Sequence, residues 1–109
     1  MVSMGEIEDI VAEIARVFQP EQIILFGSYA YGKPRSDSDV DLLIIMPFEG
    51  SPSYKALEIL AHVDPSFAAD LLVRSPDEIE QRLAWHDFFL GEIIEQGKVL
   101  YAAPYARVG

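Results

Sequence analysis

Three features of the sequence predict an α/β or α+β domain. Helix-like and strand-like stretches alternate along the chain. Half of the 109 residues are hydrophobic and 24 % are charged, which is a globular composition. Two short apolar runs, Gln22–Phe26 and residues 40–46, read as strands buried on both faces.

The elements follow in order. Residues 6–18 place Ile7, Ile10, Val11, Ile14 and Val17 at helical spacing. Ser3 and Glu6 have the spacing of a capping box, and Gln19-Pro20 ends the helix. The first strand, Gln22–Phe26, runs straight into Gly27-Ser28. Residues 29–35 are turn-rich, with Gly32 and Pro34 as breakers. The second strand is stopped by Pro47, and Gly50-Ser51-Pro52 marks a loop. Residues 54–63 are predicted helical, with Leu57, Leu60 and Ala61 on one face. Asp64-Pro65 is a turn, and residues 67–73 read as a third strand. Ser75-Pro76-Asp77-Glu78 is a helix start: a cap, a proline at the first position, then acids at the positive end. That helix breaks near Trp85-His86. A second one runs to Gln96 and stops at Gly97, and Lys98–Ala102 reads as a fourth strand. The expectation is a single domain over residues 1–109, with 104–109 a flexible tail.

Composition excludes several kinds of chemistry. The chain has no cysteine, so disulfides, thiolate metal sites and thiol catalysis are ruled out. No apolar run approaches a membrane span. The first residues carry Glu6, Glu8, Asp9 and Glu13 and no basic side chain, unlike a secretory signal. A cytoplasmic protein without membrane contact is expected. Eight Lys plus Arg against eighteen Asp plus Glu give a net charge of −10. Such a surface repels phosphate backbones, so direct nucleic-acid binding is not expected. A protein partner fits, as does a small anion whose charge is masked by metal ions.

The densest chemistry lies in residues 27–44, GSYAYGKPRSDSDVDLLI. Gly27 lets a ligand approach the backbone, and the Ser28 hydroxyl with the free amides of a helix start suits a phosphate. Asp39 and Asp41 stand two apart where a strand begins. Strand geometry puts them on one face, about 7 Å apart at the backbone. Lys33 and Arg35 in the intervening loop suit the outer phosphates of a nucleotide. One Lys and one Arg do not neutralise Asp37, Asp39 and Asp41 together. Mg²⁺ does, because this hard cation takes one or two carboxylates plus substrate phosphates. A two-metal site wants a third carboxylate, and Asp70 in the third strand is the candidate. Asp37 reads as a turn or cap residue.

The remaining polar and aromatic residues read as structural. His62 ends a helix and His86 sits in a bend, and neither has metal-ligand spacing. Trp85, Phe88 and Phe89 are read first as core and second as a partner-facing patch, because so small a chain has little room to bury all three. Tyr31 is a candidate to stack on a base, with packing an equal alternative. An exposed edge of the small sheet offers a route to oligomers.

Gly27-Ser28, ten residues, then Asp39-Val40-Asp41 matches the GSX₁₀DXD signature of the polymerase-beta-like nucleotidyltransferase superfamily. The short length and the string GSYAYGKPRSDSDVDLL resemble its minimal nucleotidyltransferases, the MNT proteins. The resemblance runs from the first helix to GKVLYAA at residues 97–103. It implies a small mixed β-sheet flanked by helices, and transfer of a nucleoside monophosphate from a triphosphate to a hydroxyl. It assigns Gly27 and Ser28 to the nucleotide phosphates, and Asp39, Asp41 and Asp70 to two Mg²⁺ ions. It makes ATP the donor and a tyrosine of a HEPN-type toxin the acceptor, with this chain as antitoxin in a hetero-oligomer. Two alternatives stand beside it. One is an antitoxin with a vestigial site that neutralises by binding alone. The other is a transferase acting on a small molecule.

Overall fold

The computed structural model describes residues 1–105. In chain order it contains α1 (Met4–Phe18), β1 (Gln22–Phe26), α2 (Ser28–Tyr31), β2 (Val40–Ile45), α3 (Pro52–Val63), β3 (Ala69–Arg74), α4 (Pro76–Ala84), α5 (Phe88–Gln96) and β4 (Lys98–Ala102). The four strands form one mixed sheet in the order β3-β2-β1-β4. β1 is antiparallel to both β2 and β4. β2 and β3 are parallel, because α3 carries the chain back across the sheet between them. The mixed sheet flanked by helices is the one the sequence led us to expect.

Local sequence sets the ends of the elements. The Ser3 hydroxyl accepts from the Glu6 amide at 3.1 Å, and the Glu6 carboxylate accepts from the Ser3 amide at 3.1 Å. This completes the capping box of α1. The Ser51 and Ser75 hydroxyls cap α3 and α4 by accepting from the amides of Tyr54 and Glu78, each serine followed by a proline in the first turn. Gly50-Ser51-Pro52, expected as a loop, is therefore partly a helix start. Asp87 caps α5 by accepting from the Leu90 amide at 2.9 Å. At Gly97 a Cβ would lie 2.6 Å from the Ile24 side chain, so only glycine lets α5 pass so closely into β4.

Strand alternation divides the interior into two cores. Ile23 and Leu25 of β1, Leu42 and Ile44 of β2, and Leu71 and Val73 of β3 face α1, α2 and α3. Ile24, Leu43 and Ile45 face Ile79 of α4 and Leu90 and Ile93 of α5. Both faces of β1 and β2 are covered, which is why each reads as an unbroken apolar run. α1 buries Ile7, Val11 and Ile14 on the expected face.

Three details differ from the sequence reading. α3 turns Ile59 into the core with Ala56, Leu60 and Val63 beside it, while Leu57 is 65 % exposed and Ala61 is exposed. Both stripes have helical spacing, and packing on the sheet selects the one containing the β-branched residue. β3 begins at Ala69 rather than 67, since Ser66 and Phe67 still bend toward the strand. Part of the turn-rich segment 29–35 is the one-turn helix α2. Of the expected tail, Pro104 and Tyr105 form a turn and 106–109 lie outside the described residues.

Ile44 is fully buried at the centre of the larger core. Ile44→Ala is expected to cost about 2–5 kcal/mol of stability, read as a fall in the urea midpoint at unchanged slope. A loss below about 1 kcal/mol would contradict tight packing on this face.

Candidate active site

The register of the sheet assembles the carboxylates. Asp41 pairs with Phe26 across the antiparallel ladder and with Asp70 across the parallel one. Paired residues share a face, and so do residues two apart. Asp41 therefore lies on the side of Leu43, Asp70 on the side of Leu72, and Phe26 on the side of Ile24. This is the α4/α5 side of the sheet, at the end where β1 finishes and β2 and β3 begin. Asp39, two residues before Asp41, arrives on the connection from α2. Asp41 is half-buried, whereas Asp39 and Asp70 are exposed.

The electrostatics record the crowding. Burial, then the charge of Asp70, then that of Asp39, push the Asp41 carboxyl up to about 6. Both neighbouring carboxylates thus act on Asp41. Among the described residues, no three His, Cys, Asp or Glu side chains are gathered closely enough to cage an ion unaided. Mg²⁺ needs no such cage, because one or two carboxylates hold it and water and substrate phosphates complete its shell. An electron-rich, mutually repelling donor set of hard oxygens is the chemistry that cation requires.

The Gly-Ser turn is built into the same place. Gly27 has φ +75°, and a Cβ there would overlap the Asp41 carboxylate, with Cγ 3.2 Å away. The sequence suggested that this glycine admits a ligand. The structure adds that it admits Asp41. Gly27 also starts α2: its carbonyl accepts from the amides of Ala30 at 3.0 Å and Tyr31 at 3.1 Å. The amides of Ser28 and Tyr29, ahead of these, have no acceptor within the helix.

The other candidate residues divide clearly. Lys33 and Arg35 lie on the exposed connection from α2 to β2, and among the described residues neither makes an ion pair. Tyr29 is buried, and its hydroxyl accepts from the Val2 amide at 3.1 Å, so its role is packing. Tyr31 is 40 % exposed. His62 stacks edge-on against Phe18 and faces Glu13 at 3.5 Å, a structural setting. His86 occupies the α4–α5 bend with φ +60°. Trp85, Phe88 and Phe89 are not core: they are 66 %, 83 % and 56 % exposed. α5 turns Leu90 and Ile93 inward instead, which leaves no room for the residues at its start.

Phe26 escaped the sequence reading as a site residue. It closes an apolar run and reads as plain core. Its signal is positional, since the last residue of β1 must pair with the first acid inside β2. Its ring meets that of Phe89 edge-on at 5.9 Å, joining the carboxylate end of the sheet to the start of α5.

Comparison with known proteins agrees with this architecture. The family model for the nucleotidyltransferase domain matches residues 4–100. The chain belongs to that family and is a nucleotidyltransferase. The protein adenylyltransferase MntA of Thermococcus cleftensis is 34 % identical over 82 residues, covering 69 % of this chain and 81 % of that protein. Two crystal structures share the fold. A candidate nucleotidyltransferase from Sulfolobus solfataricus superposes with a TM-score of 0.64 at 17 % identity, covering 94 % of this chain and 82 % of its own. A toxin–antitoxin complex with AMP-PNP gives 0.54 at 21 % identity, covering 89 % and 74 %.

Two outcomes follow from the site. Gly27→Ala must strain a left-handed backbone and displace Asp41, so transferase activity and thermal stability should both fall. Asp41→Asn should do the opposite to stability. The folded carboxyl titrates near 6 and the unfolded one near 4, so wild-type stability declines as pH rises between them and stays low above. The Asn variant removes that penalty, and at pH 8 it should gain about 1–2 kcal/mol after allowance for partial exposure. Urea titrations at pH 4 and pH 8 check the sign: the gain must vanish at the lower pH.

Proposed function

We propose that this nucleotidyltransferase moves AMP from ATP to a hydroxyl on a protein, a tyrosine of a HEPN-type toxin, and so acts as its antitoxin. The observation that carries the reading is the register that sets Asp41 opposite Asp70, with the charge of Asp39, two residues upstream, also acting on Asp41. The likeness to a protein adenylyltransferase supports AMP as the group moved. The exposure of Asp39 and Asp70 supports a macromolecular acceptor, because an open carboxylate face suits a substrate that brings its own surface.

Asp39, Asp41 and Asp70 would hold Mg²⁺. When bound, the cation supplies charge neutralisation for the triphosphate and lowers the pKa of the acceptor hydroxyl. Gly27 and Ser28 bind the phosphates through the amides at the start of α2. Lys33 and Arg35, unpaired with any described acid, extend toward the outer phosphates. Asp70 would help the cation lower the pKa of the acceptor hydroxyl. The acceptor oxygen, its proton given up to solvent water, bonds to the α-phosphorus as the bond to the bridging oxygen breaks, and pyrophosphate leaves carrying the electron pair. Asp41 acts as a carboxylate, so a proton held there must give way when the cation binds.

The test combines ATP, Mg²⁺, this chain and the HEPN-type protein from the same genome. Intact mass should show AMP added to the latter. Asp39→Asn with Asp41→Asn should lower the rate on the order of a hundredfold or more while leaving the fold intact. Full activity in that variant sinks the mechanism. Metal demand should also rise below about pH 6, where a proton competes for Asp41. An apparent Mg²⁺ affinity that stays flat from pH 5 to pH 8 would contradict the assignment of Asp41.

A further inference from the structure

The corner between α4 and α5 carries the largest unexplained feature of the surface. Trp85 and Phe88 are largely exposed there, on either side of His86. Exposed aromatics on a loose loop would mean little, but this corner is fixed. The Asp87 amide donates to the Arg82 carbonyl at 2.9 Å, and the His86 amide to the Leu83 carbonyl at 3.0 Å. Arg82 meets the Asp87 carboxylate at 3.1 Å, and Asp87 caps α5. His86 adopts a left-handed backbone to make the bend. A rigid display of large apolar side chains is the usual construction of a binding surface.

A concavity of about 350 Å³ opens beside the corner. Leu83, Phe88 and Gly91 line it together with the exposed Glu92 and Glu95. Among the described residues, neither glutamate is in an ion pair. The lining holds no Lys or Arg. The surface thus asks for an apolar anchor flanked by cationic groups. The start of α5 is also tied to the active-site end of the sheet, because the ring of Phe89, next to Phe88 in the chain, packs on Phe26, which pairs with Asp41.

We infer that the α4–α5 corner is the docking surface for the acceptor protein, which places there an apolar side chain flanked by Lys or Arg. This rests on the protein-modifying reading above and adds the surface that selects the acceptor. Binding at the corner would hold the acceptor hydroxyl next to the carboxylate end of the sheet.

The experiment separates docking from transfer. Complex formation between this chain and the HEPN-type protein is measured by calorimetry, and AMP transfer by intact mass. Trp85→Ser with Phe88→Ser should weaken the complex by about tenfold or more. The acceptor KM should rise in step while the ATP KM and kcat hold. Glu92→Lys with Glu95→Lys should weaken it as well, and this loss should shrink as salt is added. All four side chains are exposed, and melting curves check that each variant folds.

If both variants bind the acceptor and transfer AMP to it as wild type does, the docking surface is refuted while the transferase reading stands. If wild type binds without transfer and the variants lose binding, the docking surface stands and the acceptor chemistry falls. A wild-type chain that forms no complex overturns both. A dimer of this chain that dissolves on Trp85→Ser with Phe88→Ser overturns the docking assignment, since a second copy then covers the face.

Discussion

The antiparallel pairing of β1 with β2 constrains everything around it. Both strands are covered on two faces, so a slip by one residue would carry every side chain of a strand to the wrong core. Ile23, Leu25, Leu42 and Ile44 would exchange places with Ile24 and Leu43, and the two cores differ in shape and partners. That penalty fixes the register, and the register alone puts Phe26 opposite Asp41. Gly27 follows in the chain and turns under the Asp41 carboxylate, where no Cβ fits. Apolar packing in the middle of the sheet thus positions polar groups at its end.

The same arrangement carries an electrostatic cost. Asp41 is half-buried beside two like charges, and its proton is held more tightly than in an ordinary aspartate. A protein selected for stability alone would place an amide or an aliphatic side chain here. The cost falls on the group through which a cation and a triphosphate would gain affinity, since relief of repulsion adds to whatever those ligands contribute directly. Destabilisation and binding capacity are two aspects of one juxtaposition.

Much of this was legible in the sequence, for identifiable reasons. Caps written as Ser3–Glu6 and Ser75-Pro76 are local chemistry and fold as they read, whereas Ser51-Pro52 read as a loop and starts α3. The runs in β1 and β2 declare two-sided burial by their lack of alternation. Asp39 and Asp41 read as close neighbours from strand period two, although β2 itself begins only at Val40 and it is the charge of Asp39 on Asp41 that shows the proximity. The contact of Asp41 with Gly27 and the pairing of Asp41 with Asp70 were not legible, because they depend on register across the sheet. Helix faces failed where two stripes competed: in α3 the choice of Ile59 over Leu57 is made by the neighbouring strand. The exposure of Trp85 and Phe88 was hidden for a different reason. Large aromatics are apolar by composition whether they stabilise this chain or await another, and only a folded core that has already filled itself with Leu90 and Ile93 tells the two apart.

One feature of the topology bears on how the molecule is made. β1 lies near the start of the chain and β4 near its end, yet Leu25 pairs with Lys98. During synthesis β1 and β2 can pair early, and β3 can join them once α3 has emerged. The other edge of β1, apolar and furnished with unpaired amides and carbonyls, must then wait until the chain has been made through Ala102. A nascent sheet with such an edge is a template for intermolecular strand addition. Ribosome-bound intermediates of this protein should consequently be the form most in need of a chaperone, and premature termination before β4 the most direct route to aggregation.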